Sequence, residues 1–207
     1  MSFLRPKDCL DISRFDNQMI LRIILLILLV QTTLVLHGQN ACFSDCSKVM
    51  NSNIPFTKKL SILEGCTIPS FTATTLKGKK IDSEKLKGKI VVVNFWYIGC
   101  SPCRAEMPGM NKLVAKYRDK VEFFSFSKDD PKRLRDFLKK NSVDFEVIPN
   151  SFDLDQKFCV VAGYPTNMVI DRAGKVALIF SGGRIDDKAP AELISKLEPT
   201  IVALIKN

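Results

Sequence analysis

The sequence predicts an α/β fold, a central mixed β-sheet flanked by helices on both faces, and three observations predict it. Strand-like and helical segments alternate between residues 90 and 161. The run "IVVVNFW", residues 90–96, is apolar and β-branched enough for a strand buried on both sides. The chain then closes with two strands joined by a short turn and one long amphipathic helix. With 207 residues and 46% apolar content there is material for one domain of ordinary size plus an appendage.

The appendage comes first. Residues 23–30 are an unbroken apolar run, preceded by Arg22 and extended by Leu34, Val35 and Leu36. A basic start, an apolar middle and the polar exit "HGQNAC" have the pattern of a secretory signal. Residues 20–36 barely reach membrane-spanning length, and Arg22, Gln31, Thr32 and Thr33 interrupt them. A cleaved signal is the first reading, an uncleaved anchor the second and a buried core helix the third. Residues 1–18 are polar and fit no signal, so Met19 reads as the initiator. Cys42 is a candidate for lipid attachment behind an imperfect lipobox. Residues 1–39 are thus an N-terminal extension plus signal peptide or membrane anchor, 40–64 a spacer, and 65–207 the folded domain.

Inside that domain, 71–75 and 79–81 bracket the turn signal "LKGK" and predict a β-hairpin. After the strand at 90–96, Met107, Met110, Leu113, Val114 and Tyr117 recur at helical spacing, predicting a helix over 102–118. A strand follows at 121–126, then a helix over 131–140 opened by Asp129 and Asp130. "FEVIP" reads as a short strand and 153–161 as a short helix. "TNMVIDRAGKVALIFSGG" holds two strands about a turn at Ala173 and Gly174, and 188–205 is the closing helix.

Composition excludes several functions. The formal charge of +9 is dispersed, with no dense basic block, so no nucleic-acid partner is expected. The sole histidine, His37, lies in the N-terminal segment. The domain therefore has no imidazole for a Cys–His or Ser–His nucleophile, and neither a metal nor a cofactor is expected. Of the seven cysteines, Cys100 and Cys103 alone form a tight frame, "CSPC", where the buried strand ends and the helix begins. A helix N-terminus offers unpaired N–H groups and a positive dipole end, both of which stabilise a thiolate. Cys100 at the cap would meet solvent and that field together. Cys103, one turn inward, would be the shielded resolving thiol, and Pro102 suits the first turn. A zinc clip would need about four ligands, and no second such pair is present. Cys42 and Cys46 pair with each other, carry a lipid or stay free; Cys159 reads as a buried thiol, and a Cys66–Cys159 bridge is possible but unsupported. Further on, Pro165 in "GYPTNMVID" precedes a strand. A cis bond and an ordinary trans proline ending a loop fit equally well.

These features together resemble the thioredoxin superfamily, and within it the TlpA/ResA-type envelope thiol–disulfide oxidoreductases. The similarity runs from about Gly65 to the C-terminus. It rests on the N-terminal hairpin and first core strand, "CSPC", Pro108 inside the helix, "YPT" as the cis-proline loop and "GGRI" as the glycine loop. Residues 127–151 look like the extra strand and helix that this branch inserts. The resemblance implies that Pro165 is cis and that Tyr164, Pro165 and Thr166 form the wall against which a substrate cysteine segment lies. Gly99 stands where the family usually has tryptophan, and Trp96, three positions earlier, is counted with the substrate-binding residues. Asn94 replaces the buried acid of thioredoxin itself and cannot accept a proton. Glu106, three residues after Cys103, matches the glutamate of the TlpA/ResA branch. It reads as the acceptor of the Cys103 proton, against the alternative of a surface acid favouring the helix dipole.

The expected protein is an exported thiol–disulfide oxidoreductase, read as a reductase, with Cys100, Cys103 and Glu106 as catalytic residues. Its partners would be protein thiols and disulfides and an unidentified membrane electron donor. It would lie on the extracytoplasmic side of the envelope, secreted or attached by signal anchor or lipid. Cytochrome c maturation is one pathway that the resemblance suggests, general envelope disulfide reduction another. Two rivals remain: a peroxiredoxin-like antioxidant enzyme, although Tyr97 stands where its threonine or serine belongs, and an anchored binding module with an inert disulfide.

Overall fold

The computed structural model describes Arg22, Leu26, Phe43 and residues 59–160 and 163–207. The chain forms two compact units, 1–39 and 40–207. Of the first unit Arg22 and Leu26 are described, both helical and exposed. The signal, the Met19 start, and the roles of Cys9, Cys42 and Cys46 lie outside the described residues. Among the described residues no helix is long and apolar enough to cross a membrane.

The second unit is built on β3, Ile90–Trp96, in which all seven residues are buried. Three valines after an isoleucine suit a pleated surface covered on both sides. A hairpin of β1 (Thr72–Thr74) and β2 (Lys80–Asp82) precedes it as a separate two-stranded sheet. β4 (Val121–Ser127) runs parallel to β3, and β5 (Glu146–Ile148) parallel to β4. β6 (Thr166–Ile170) and β7 (Val176–Ser181) are antiparallel additions, giving the order β5-β4-β3-β6-β7.

Strand parity divides the core. Ile90, Val92 and Trp96 face α1 (Ser101–Tyr117) and α4 (Ala189–Lys206), packing with Met110, Leu113, Leu193 and Leu197. Leu134 of α2 (Pro131–Leu138) joins this side. Val91, Val93 and Phe95 face the other way, toward Phe71, Phe126, Phe158 and Leu63. Phe95 stacks on Phe126 with ring centroids 5.1 Å apart. Phe43 meets Phe158 edge-on at 6.0 Å, so residue 43 packs onto the aromatic core.

The third helix, α3 (Phe152–Lys157), stops earlier than the expected 153–161. Cys159 adopts a left-handed conformation, φ 50°. Its N–H donates to Gln156 O at 3.1 Å, and Val160 N–H donates to Asp155 O at 3.0 Å. These paired bonds end a helix, usually with glycine at the left-handed position. Cys159 is therefore past the helix rather than on it.

Candidate active site

Where β3 ends at Trp96, three residues lead to the α1 N-cap, Cys100. That loop is held at Ile98. Its N–H donates to Asp129 Oδ2 at 2.7 Å, and its carbonyl accepts from Arg104 Nη1 at 2.5 Å. Asp129 also accepts from Ser127 Oγ at 3.1 Å and pairs with Arg133 at 3.1 Å. The next residues are thus delivered at a fixed place on the C-terminal edge of the sheet.

Cys100 and Cys103 are joined as a disulfide, Cα atoms 5.3 Å apart. The Cys103 N–H donates to Cys100 Sγ at 3.2 Å, so the capping sulfur receives one of the orphan donors of the helix start. The expected contrast in exposure is absent: Cys100 is 4% exposed and Cys103 3%. Both cysteines belong to the helix-side core cluster, against which Tyr97, Ile98 and Tyr164 also pack. Position and hydrogen bonding, not access, distinguish the two sulfurs.

The register of β6 against β3 sets Thr166 opposite Phe95, which places the turn before β6 beside the loop before Cys100. The Tyr164–Pro165 bond is cis, as the resemblance implied. The Pro165 carbonyl accepts from Gly182 N–H and Ser181 Oγ, both at 3.0 Å, tying the glycine loop to the proline loop. The Tyr164 hydroxyl donates to Asp155 Oδ2, and its ring meets that of Tyr97 edge-on at 5.4 Å. Lys128 Nζ lies over both rings, 4.2 and 4.6 Å from their centroids. Ser151 Oγ also donates to Asp155 at 2.9 Å; burial raises the Asp155 carboxyl above its ordinary range, while the Tyr164 and Ser151 hydroxyls pull it down.

Glu106 is buried, 6% exposed, on the inner side of α1. A surface position is thereby corrected in favour of the interior. Its Oε2 accepts from Asn167 Nδ2 at 2.9 Å, and Asn167 Oδ1 accepts from Asn94 Nδ2 at 2.9 Å. Burial pushes the Glu106 carboxyl up to about 7; the Asn167 amide and the Lys196 charge oppose the rise, and Glu192 adds to it. A Cβ on Gly182 would lie 1.9 Å from Glu106 Oε1 and 2.8 Å from Pro165 Cγ. Only glycine there lets the carboxyl, the proline and the glycine loop converge.

Two expected substrate-binding side chains are elsewhere. Trp96 is 0% exposed, donates from Nε1 to Ser125 Oγ at 3.1 Å and packs on Phe137. It belongs to the core because it shares the face of Ile90 and Val92. Thr166 is also 0% exposed, its hydroxyl donating to Gly163 O at 2.7 Å. Its side chain holds the loop rather than facing a substrate. Tyr164 is half-buried and Pro165 buried at the site itself. Asn167, Asp129, Lys128 and Asp155 were missed as site residues. The one available signal was the single asparagine interrupting each apolar strand, Asn94 and Asn167. Cys66 and Cys159, both buried, each take part in a disulfide, which replaces the expected thiol at Cys159.

Against known proteins, residues 65–179 match the AhpC/TSA family. The chain is 35% identical over 147 residues to the thiol-disulfide oxidoreductase ResA of Bacillus thuringiensis subsp. konkukian, covering 70% of this chain and 84% of that protein. It is 35% identical over 130 residues to the thioredoxin-like protein YneN of Bacillus subtilis, covering 60% and 75%. Among solved structures, a Chlorobium tepidum protein assigned as the thiol:disulfide interchange protein DsbE superposes with TM-score 0.60 and 29% identity, covering 69% of this chain and 97% of that one.

Proposed function

The chain belongs to the AhpC/TSA thioredoxin-like family and is a thiol–disulfide oxidoreductase of the ResA/DsbE type, and on that premise we propose that it reduces protein disulfides on the extracytoplasmic side of the envelope. The observation that carries the reading is the cap: Cys100 sits at the start of α1 with its sulfur accepting the Cys103 N–H. In the reduced protein the Cys100 thiolate attacks one sulfur of a substrate disulfide, forming a mixed disulfide and releasing one substrate thiolate. Cys103, deprotonated by Glu106, then attacks Cys100 Sγ, and the second substrate thiolate leaves. Two electrons pass to the substrate, and the Cys100–Cys103 disulfide remains. A dithiol donor, read as membrane-bound, restores the pair by the same exchange.

Tyr164 and Pro165 form the wall beside the sulfurs. Residues 1–39 serve as leader or anchor, 40–64 connect, and 65–207 carry the chemistry. Export is supported by the basic–apolar N-terminus and by the disulfides at Cys66 and Cys159, which persist in oxidising compartments. Within that compartment the substrates are envelope proteins with disulfides to be opened, apocytochromes c awaiting haem attachment among them.

The decisive measurement is the reduction potential of the pair, together with insulin reduction driven by dithiothreitol. A potential of about −270 mV or lower with active insulin reduction is expected. A value of about −120 mV makes the protein an oxidant, and an inert pair makes it a binding module. Peroxide consumption by the reduced protein, which is not expected with Tyr97 three residues before Cys100, would move it to the peroxidase reading.

A further inference from the structure

We propose that Asn167, itself held by Asn94, is the positioning residue that aims the Glu106 carboxylate at Cys103 and keeps it ionisable, an inference that rests on Glu106 being the base. Asn167 is 0% exposed and Asn94 7%. They are direct cross-strand partners, Asn94 on β3 and Asn167 on β6. Their side chains lie on the face turned to α1, as strand parity from Val92 and Val169 requires. Two amides on an otherwise apolar pair of strands carry a desolvation cost and are retained only if paired. Here each has a use. Asn94 donates to Asn167 Oδ1 at 2.9 Å, which leaves the Asn167 amide nitrogen pointing at α1, where it donates to Glu106 Oε2 at 2.9 Å. The direction of the chain matters: with its oxygen occupied by Asn94, Asn167 presents a donor, and a donor favours the carboxylate form.

The other side of the carboxyl is closed by Gly182, whose missing Cβ leaves room for Oε1. The groups that face Glu106 electrostatically come from α4: Lys196 favours its charge and Glu192 opposes it. Those two are ion-paired at 2.8 Å, and Arg184 also binds Glu192 at 2.7 Å. Much of the influence of α4 therefore cancels. Among the described hydrogen bonds, the one that reaches Glu106 from another side chain is that of Asn167. Without it, burial would raise the carboxyl further, leaving less carboxylate at neutral pH to take the proton from Cys103. Asn167 also follows Pro165 by two residues, on the strand that the proline loop leads into, so the segment proposed as the substrate wall runs directly into the residue that holds the base.

Oxidised full-length protein offers a clean reading, because no cysteine thiol of the pair then titrates beside the acid. In the native protein the Glu106 side-chain carboxyl, followed by carbon-13 NMR and assigned through Glu106→Gln, should titrate at about 7. Asn167→Leu keeps the bulk and removes the donor; its midpoint should rise by about one pH unit or more, the scale of one hydrogen bond to a charged group. In the reduced protein, resolution of the mixed disulfide at pH 7 should fall about fivefold or more and recover as pH rises by the same interval. Asn94→Val, which leaves Asn167 in place but free to rotate, should shift both readouts in the same direction by less. Unmoved titration midpoints in folded Asn167→Leu, or in Asn94→Val if the first does not fold, overturn the proposal. If instead the midpoint moves while Glu106→Gln keeps the native pH–rate profile, the base assignment fails, and Asn167 has no part in the reaction.

Discussion

Glu106 and Gly182 show how one missing methyl group sets up chemistry. With a Cβ 1.9 Å from Oε1, Gly182→Ala cannot leave the carboxyl where it is. Gly182 has no left-handed backbone, so the substitution should fold, and the displaced Glu106 should lose its bond to Asn167. We expect slow resolution near neutral pH and near-normal circular dichroism; a native pH–rate profile in this variant would contradict the convergence of the two residues. The sulfurs follow their own order. Cys103→Ala should accumulate a mixed disulfide with substrate, visible on a non-reducing gel, while Cys100→Ala should accumulate none. Trapping through Cys103 instead would reverse the roles. Of these residues, the two cysteines stand out by their spacing at the helix start, and Glu106 by the family resemblance. Asn167 was not legible, because its partner on α1 lies far off in sequence and depends on the β3–β6 register. Trp96 was misplaced although strand parity from Ile90 and Val92 already assigned it to the helix-covered face.

At the scale of elements, starts are set by local signals and stops by contacts distant in sequence. The β3 bounds, 90–96, follow from a β-branched and aromatic run broken only by Asn94 and preceded by Gly88 and Lys89. The α1 start came from a cap followed by proline, and α2 likewise begins at Asp130, whose side chain accepts from Lys132 and Arg133 N–H groups. α3 ended early because Cys159 occupies a left-handed position that no glycine advertised. The packing of α1 on α4 also hangs on a residue with no side chain. A Cβ at Gly109 would stand 2.6 Å from Pro190 O and 2.9 Å from Pro190 Cα, both backbone. Gly109→Ala should therefore push the helices apart, costing roughly 1–3 kcal/mol, with thermal unfolding a few degrees lower. The reduction potential should change little, because the cap at Cys100 is untouched; an unchanged melting temperature would deny the close approach.

For the whole molecule, the acid at the site is bought at the expense of stability. The Glu106 carboxyl moves from 4.5 to about 7 on folding, so the folded protein holds this proton more tightly than the unfolded chain. Stability from this group is complete below about pH 4.5, falls as pH rises toward 7, and is lost above that. Glu106→Gln should therefore be more stable than the native protein at pH 8 by about 2–3 kcal/mol, the gap closing toward pH 5. Denaturant melts at the two pH values test this, and a variant less stable at pH 8 would show that the buried charge is no burden. With Cys100 4% and Cys103 3% exposed, the oxidised pair is largely covered. Small thiols should exchange electrons with it more slowly than a protein donor that docks at the site and opens it as it binds, although excess dithiothreitol still drives the insulin assay. The cover would then act as a kinetic check against leakage, sending electrons to partners chosen by contact instead of to any reductant in reach.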